Sequence, residues 1–453
     1  MVKTNALFWV ILSTAWAGNL INGSLARGAD DNLRVELDQA KEEIQQLRAE
    51  LKEFKESSNW KSQQQELRQL LDKAPAASND SPAGSLVLPA GWSIQPYGYF
   101  KFDMSYDDSA VNGENGDYIT SVKPENATTR ADDKLSFTAR QTRLGLKVFA
   151  PNIGDLKVMG RVEIDFYNPV TSSTNEYKST PQMRHAYGEV AGADWSILFG
   201  QTSDLISPLL PDVLNYTVGW FGGNMGYRHP QLKFSKWWDC SETENRFKIE
   251  TALSREINQD LDGGGVDDGQ DSSYPTVLGR VSYALPCHGK RIEAGLSGHF
   301  GREEIDWSGA GDDDEVHTWS VNTDLVVPVC EKVEVKGEMF FGENLDSYFG
   351  GIGQGVNSTT HDPIESRGGW VQLGYKPLAE WAFNTGAGID HPDESDLDDI
   401  NNKSSNCFAF SNVNYFFSKY LSTGIELSYW RTGYKNSDAG DDFRVQHSWQ
   451  LSF

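Results

Sequence analysis

The chain has 453 residues, 12% of them aromatic and 43 of them glycine, and a formal net charge of −25. That charge excludes a nucleic-acid partner, whose phosphates require a basic surface; otherwise acidity bears on solubility and association rather than on fold. Mean hydropathy is −0.52, and no apolar run after residue 30 is long enough for a membrane helix. A barrel is not excluded, because only alternate residues of a barrel strand meet lipid.

The first segment, 1–29, reads as an export signal. Lys3 supplies the basic start, and Ala6 to Leu12 is an apolar run too short to span a bilayer as a mature helix. Ala15-Trp16-Ala17 and Ser24-Leu25-Ala26 are both small-x-small cleavage candidates. Residues 31–73 then show a heptad stripe. Leu33, Leu37, Ala40, Ile44, Leu47, Leu51 and Phe54 recur at alternating steps of four and three, the a/d seam of a coiled coil. With no soluble domain beside it, this helix is expected to self-associate in the periplasm; the stripe leaves two strands against three open. Residues 74–93, rich in Pro, Ala and Ser at their start, read as a linker.

From about residue 94 to 453 the period changes to two. Leu156, Val158, Val162, Ile164 and Phe166 share one face, and Lys157, Arg161, Glu163 and Asp165 the other. A strand sends alternate side chains to opposite faces, so one face suits lipid and the other water. Sixteen such segments begin near residues 95, 135, 156, 183, 195, 226, 244, 275, 291, 317, 333, 367, 381, 406, 420 and 442. Eight long connections (107–133, 168–182, 203–225, 256–274, 302–316, 346–366, 391–405 and 434–441) alternate with short ones. That asymmetry is the mark of an outer-membrane barrel, with long extracellular loops and short periplasmic turns. The fold expected is an all-β transmembrane barrel of about 16 antiparallel strands with an N-terminal α-helical coiled coil.

Several strings resemble the trimeric DcaP-like porins of Gram-negative bacteria: Tyr97-Gly-Tyr-Phe-Lys-Phe-Asp103, Phe137-Thr-Ala-Arg-Gln-Thr-Arg-Leu-Gly-Leu146, Arg184-His-Ala-Tyr-Gly188, Gly200-Gln-Thr202 and Arg228-His-Pro-Gln-Leu232. The resemblance covers about residues 94 to 240; beyond that the chain resembles barrels in general. It implies a homotrimer with a periplasmic coiled-coil stalk, taking up small anions, dicarboxylates among them. The phosphate-selective porins are the nearest rival, but their arginine-rich strand pattern is not seen. The last strand ends on Phe453, which resembles the signal read by barrel-assembly machinery.

Selectivity in a channel comes from pore width and lining charge. Lys101, Arg143, Lys147, Lys157, Arg161 and Arg444 share the lumen phase on the first three strands and the last, which adjoin once the barrel closes. This basic wall is expected to attract anions. The competing reading is that Asp103, Glu163 and Asp165 neutralise it. The third long loop, 203–225, carries Pro208, Pro211, Trp220 and the Gly222-Gly223 pair and is expected to fold inward, with Arg228 just after it aimed at the constriction. Arg140 has lipid phase, with Thr138 and Thr142 beside it; it is expected to lie above the membrane near the loop or against another subunit. Acids concentrate in loops, at Asp262 to Asp271, Asp312 to Glu315 and Asp393 to Asp399, where they either hold divalent cations that bridge lipopolysaccharide or are simply solvated.

No enzyme chemistry is visible. No Gly-x-Ser-x-Gly occurs and the eight histidines show no catalytic grouping. No CxxC occurs, so no zinc site is expected, nor any cofactor. Cys240, Cys287 and Cys330 fall at short turns, where one pair could bridge or all could be free, with Cys407 elsewhere. The function expected is an outer-membrane porin for passive diffusion of small anionic solutes. A structural barrel tethering the envelope through its coiled coil is the alternative.

Overall fold

A computed structural model describes residues 84–113, 118–127, 133–168, 179–257, 260–261, 267–307, 314–398 and 402–453. The expected signal peptide, the coiled coil and the start of the linker lie outside the described residues. The linker's end, Leu86–Val87, pairs antiparallel with Ser93 and Ile94.

Sixteen antiparallel strands form one closed sheet. They are β1 (Ser93–Asp107), β2 (Lys134–Thr138 and Arg143–Phe149), β3 (Lys157–Asn168), β4 (Thr180–Ala191), β5 (Trp195–Ser203), β6 (Arg228–Asp239), β7 (Arg246–Ser254) and β8 (Thr276–Cys287), followed by β9 (Lys290–Ile305), β10 (Asp314–Cys330), β11 (Val333–Glu343), β12 (Glu365–Leu378), β13 (Trp381–Pro392), β14 (Lys403–Phe416), β15 (Leu421–Tyr434) and β16 (Ser437–Ser452). Each pairs with its sequence neighbour, and β1 closes the ring on β16 from Tyr99↔Ser452 to Asp107↔Arg444. Closure removes both sheet edges, which a lipid-embedded sheet requires. No described helix is long and apolar enough to cross a membrane.

The wall is inverted relative to a soluble protein. Outward side chains are large and exposed, as at Phe300, Val371 and Met339, whereas inward ones such as Asp107, Gln446 and Glu426 are buried and polar. The two-residue period carries this inversion from strand to strand.

Two expectations are corrected. First, β2 is broken at Ala139–Thr142, where Thr142 N–H closes a turn on the Ala139 carbonyl. The turn shifts the phase by one. Ser136 and Thr138 face inward above it, and Arg143 and Lys147 face inward below it. Arg140 therefore does not face lipid or a neighbour. It turns inward and is buried, its Nε donating to the Phe166 carbonyl at 3.1 Å and its guanidinium lying 4.8 Å from the Tyr167 ring centre. Second, the connection expected at 434–441 is a tight hairpin. Tyr434 pairs with Ser437, and the polar run Ser437 to Asp442 continues the strand rather than looping; Asn436, at φ 55°, takes the left-handed turn position that asparagine tolerates.

The four cysteines are free. Cys240 and Cys330 lie at short-turn ends and Cys407 lies on the outward phase of β14.

Candidate functional site

The third long loop, 204–227, turns into the lumen. Its backbone reaches across from β5 and β6 to the opposite wall. Leu209 N–H donates to Glu338 Oε1 at 2.7 Å, Asp212 N–H to Gln372 Oε1 at 2.6 Å, and Leu214 N–H to Glu426 Oε2 at 2.7 Å. The Leu214 carbonyl accepts from Lys101 Nζ at 2.8 Å and Gln446 Nε2 at 3.0 Å. An irregular segment can sit at membrane depth only when its polar groups are met by protein or water. The inward carboxylates and amides of β11, β12 and β15 meet these. Val213 packs against a buried cluster that includes Phe408, Phe410 and Trp430, so the lumen phase is apolar where the loop covers it. Gly223, at φ +119°, is pressed so close to the wall that a Cβ there would stand 2.3 Å from the Gly369 carbonyl oxygen; no other residue fits.

A second insert braces the first. At 344–353, the Tyr348 carbonyl accepts from Gly226 N–H at 2.7 Å and the Phe349 carbonyl from Phe221 N–H at 3.1 Å. Phe349 also packs on Trp220, Phe221 and Tyr227. Ser347 Oγ donates to Glu256 Oε1, in the loop after β7, at 2.6 Å. Burial pushes the Glu256 carboxyl up to about 7 and that of Asp346 up to about 6.

The sequence-expected cations divide into two groups. Lys101 is buried and fully engaged. It donates to Gln141 Oε1 at 2.5 Å and to the Leu214 carbonyl, and it pairs with Asp103 at 3.2 Å. Arg444 grips Asp107 with two hydrogen bonds, at 2.6 and 2.9 Å, both side chains buried. These two hold the closing seam and the loop tip. In the other group, Arg143, Lys147, Lys157 and Arg228 make no ion pair with a described residue. Arg143 lies 5.5 Å from the Tyr99 ring centre and Lys147 5.3 Å from that of Tyr97. Lys157 is exposed at the short-turn end of β3. Arg161 is partly exposed and pairs with Glu163 at 2.7 Å, its Nε donating to Tyr97 Oη at 2.6 Å. Arg228 is buried beside the loop, 4.1 Å from the Tyr227 ring centre, with Nε and Nη2 meeting no hydrogen-bond partner among the described residues.

Arg184 was not among the expected lining residues. It donates to Glu163 Oε1 at 2.9 Å and to Asp165 Oδ2 at 2.6 Å, so those carboxylates are largely spent on an arginine of β4. The signal was the shift between Glu163 and Ile164 in the β3–β4 register, which no sequence period announces. On the far wall Arg280 is likewise held by Asp324, at 2.7 and 3.1 Å.

No family model and no curated protein sequence matches the chain. Solved structures do. The outer membrane channel DcaP of Acinetobacter baumannii superposes with a TM-score of 0.64 at 20% identity, over 82% of this chain and 100% of that one. The fold is the porin barrel. Other porin barrels align more loosely. The anion-selective porin from Comamonas acidovorans gives a TM-score of 0.51 at 11% identity, over 80% of this chain and 100% of its own. OmpF of Salmonella typhi, in complex with daunomycin, gives 0.51 at 12% identity, over 82% and 100%.

Proposed function

We propose that this porin barrel is an outer-membrane channel for passive diffusion of small solutes, favouring anions. The observation that carries the reading is the set of cations left over once the internal pairs are formed. Arg143, Lys147 and Arg228 have no carboxylate partner, although the chain as a whole is strongly acidic. They lie on β2 and β6, below and beside the inward loop. In a narrow low-dielectric passage charges without a direct counter-ion weigh heavily on the local field, whatever the net charge of the exterior. Dicarboxylates are the solute class that the resemblance to DcaP-like porins adds.

The same reading makes the protein a homotrimer, with residues 31–73 as a periplasmic coiled coil, insertion through recognition of the terminal Phe453, and lipid and lipopolysaccharide around the wall. The Phe453 backbone N–H donates to the Gly98 carbonyl at 3.0 Å and its ring packs on Phe100, so it completes the seam. Recordings in planar bilayers test the proposal. Discrete steps arriving in threes are expected; a reconstituted protein that never conducts would overturn the channel and leave the tether.

A further inference from the structure

The outer wall carries two arginines where the lipid phase calls for apolar side chains. Arg367 on β12, near the long loop before it, and Arg431 on β15, near the tight hairpin at the same end of the barrel, are exposed on the outward face. Neither guanidinium makes an ion pair with a described residue. Glu365 and Asp393 stand on the loop side of Arg367 without pairing to it. In the register, Arg367 lies between Phe341 on β11 and His391 on β13, and Arg431 between Cys407 on β14 and Asp441 on β16, with which it makes no ion pair. The His391 ring meets the Ser404 carbonyl through Nδ1 at 2.8 Å, so Nδ1 is engaged and Nε2 is the nitrogen left for a ligand. Three strand spacings of about 4.8 Å separate the two arginines around the wall.

Below Arg367 the outer surface is hollow. A groove of about 970 Å³ runs between β11 and β14, floored by Gly369 and Ala387 and edged by Met339, Val371 and Ile389. On the inner side of the same stretch the loop presses on Gly388, where a Cβ would stand 2.6 Å from the Gly222 carbonyl oxygen, whereas Gly369 is kept small by β11, a Cβ there standing 2.4 Å from the Glu338 carbonyl oxygen. A second hollow, over Gly279 and Gly298, has outward side chains that are only apolar, its Arg280 and Glu250 being turned into the lumen.

A guanidinium is costly in hydrocarbon and nearly free at the interface, where it pairs bidentately with phosphate. We propose that this face is a binding site for a phosphorylated glycolipid of the outer leaflet. Arg367 and Arg431, with His391, take the headgroup phosphates, and an acyl chain lies in the groove. Charge complementarity commits the site to this occupant. The proposal rests on the outer-membrane reading above but not on ion selectivity.

The test uses the full chain refolded in detergent, with hexa-acyl lipid A titrated and read by native mass spectrometry. Retention of lipid A is expected, with a roughly tenfold weaker affinity for R367A and a further loss for R367A/R431A. Dephosphorylated lipid A should bind no better than the double variant does. A387F, which fills the groove and leaves the cations, should also weaken binding. Equal binding by wild type and R367A/R431A, or indifference to the phosphates, overturns the site. So does a double variant that dissociates into monomers while lipid A affinity is unchanged, since the face would then be a subunit contact. Channel conductance of R367A/R431A should equal wild type, so failure here is distinguishable from failure of the channel reading.

Discussion

Replacing Glu426 by alanine tests how the inward loop is held. Glu426 Oε2 accepts from Leu214 N–H at 2.7 Å and from Asn412 Nδ2 at 2.9 Å, in a site where Glu426 is buried. A hydrogen bond to a charged acceptor contributes about 1.5–3 kcal/mol, and a buried donor left unmet adds its own cost. The loop keeps its anchors at Leu209 and Asp212, so the change is local. An easing of about 2 kcal/mol makes opening at Leu214 roughly thirtyfold more frequent. Hydrogen exchange of a peptide over 210–218, followed by mass spectrometry in detergent, should accelerate by that order, while the strand peptides stay protected. Unchanged exchange at 210–218 in a correctly folded E426A barrel would refute the argument that inward carboxylates seat the loop.

Deleting Leu209 to Asn215 should raise single-channel conductance, because the segment occupies the lumen; an unchanged conductance counts against it as the constriction. D107A should lower barrel stability by about 3 kcal/mol in urea unfolding, because it removes two hydrogen bonds and the paired carboxylate from the buried Arg444 guanidinium, whereas D107A combined with R444M should cost less; equal losses would contradict the pairing. The insert 344–353 should loosen as pH rises. Burial raises the Glu256 carboxyl from its ordinary 4.5 to about 7, so the folded state holds a proton that the opened state releases, and stability is lost as pH climbs through that window. Faster exchange over 344–353 at pH 8 than at pH 5, after correction for intrinsic rates, is the expected result; E256Q should weaken the dependence and leave the part that Asp346 carries, and a wild-type profile already flat would remove the basis for it.

Strand number, order and facing were legible because each depends only on a local period of two and on loop length. The phase of β2 was not. Thr142 and Ala139 close a turn that inserts one residue, and neither residue type marks such a turn in a strand of this composition. The hairpin at Lys435 and Asn436 was obscured by Asp438, Asp441 and Asp442, polar residues that read as loop but extend β16 beyond the apolar belt. At the candidate site, the presence of cations on β1 to β3 and β16 was visible. Their pairing was not, because Lys101 meets Leu214 and Gln141, and Arg184 meets Glu163 and Asp165, through contacts between distant segments. The neutralising role expected of Asp103 holds for Lys101. Glu163 pairs with Arg161, but it is also taken up by Arg184, as Asp165 is. Arg143, Lys147 and Arg228 are left without an ion pair among the described residues.

That remainder is the heart of the functional account, and reversal potential in a KCl gradient tests it most directly. Wild-type channels should reverse on the side set by chloride, and K147E/R228E should move the reversal toward potassium without closing the channel. A wild-type channel that prefers potassium, or a reversal potential that K147E/R228E leaves in place, would contradict an anion-favouring pore lined by these residues.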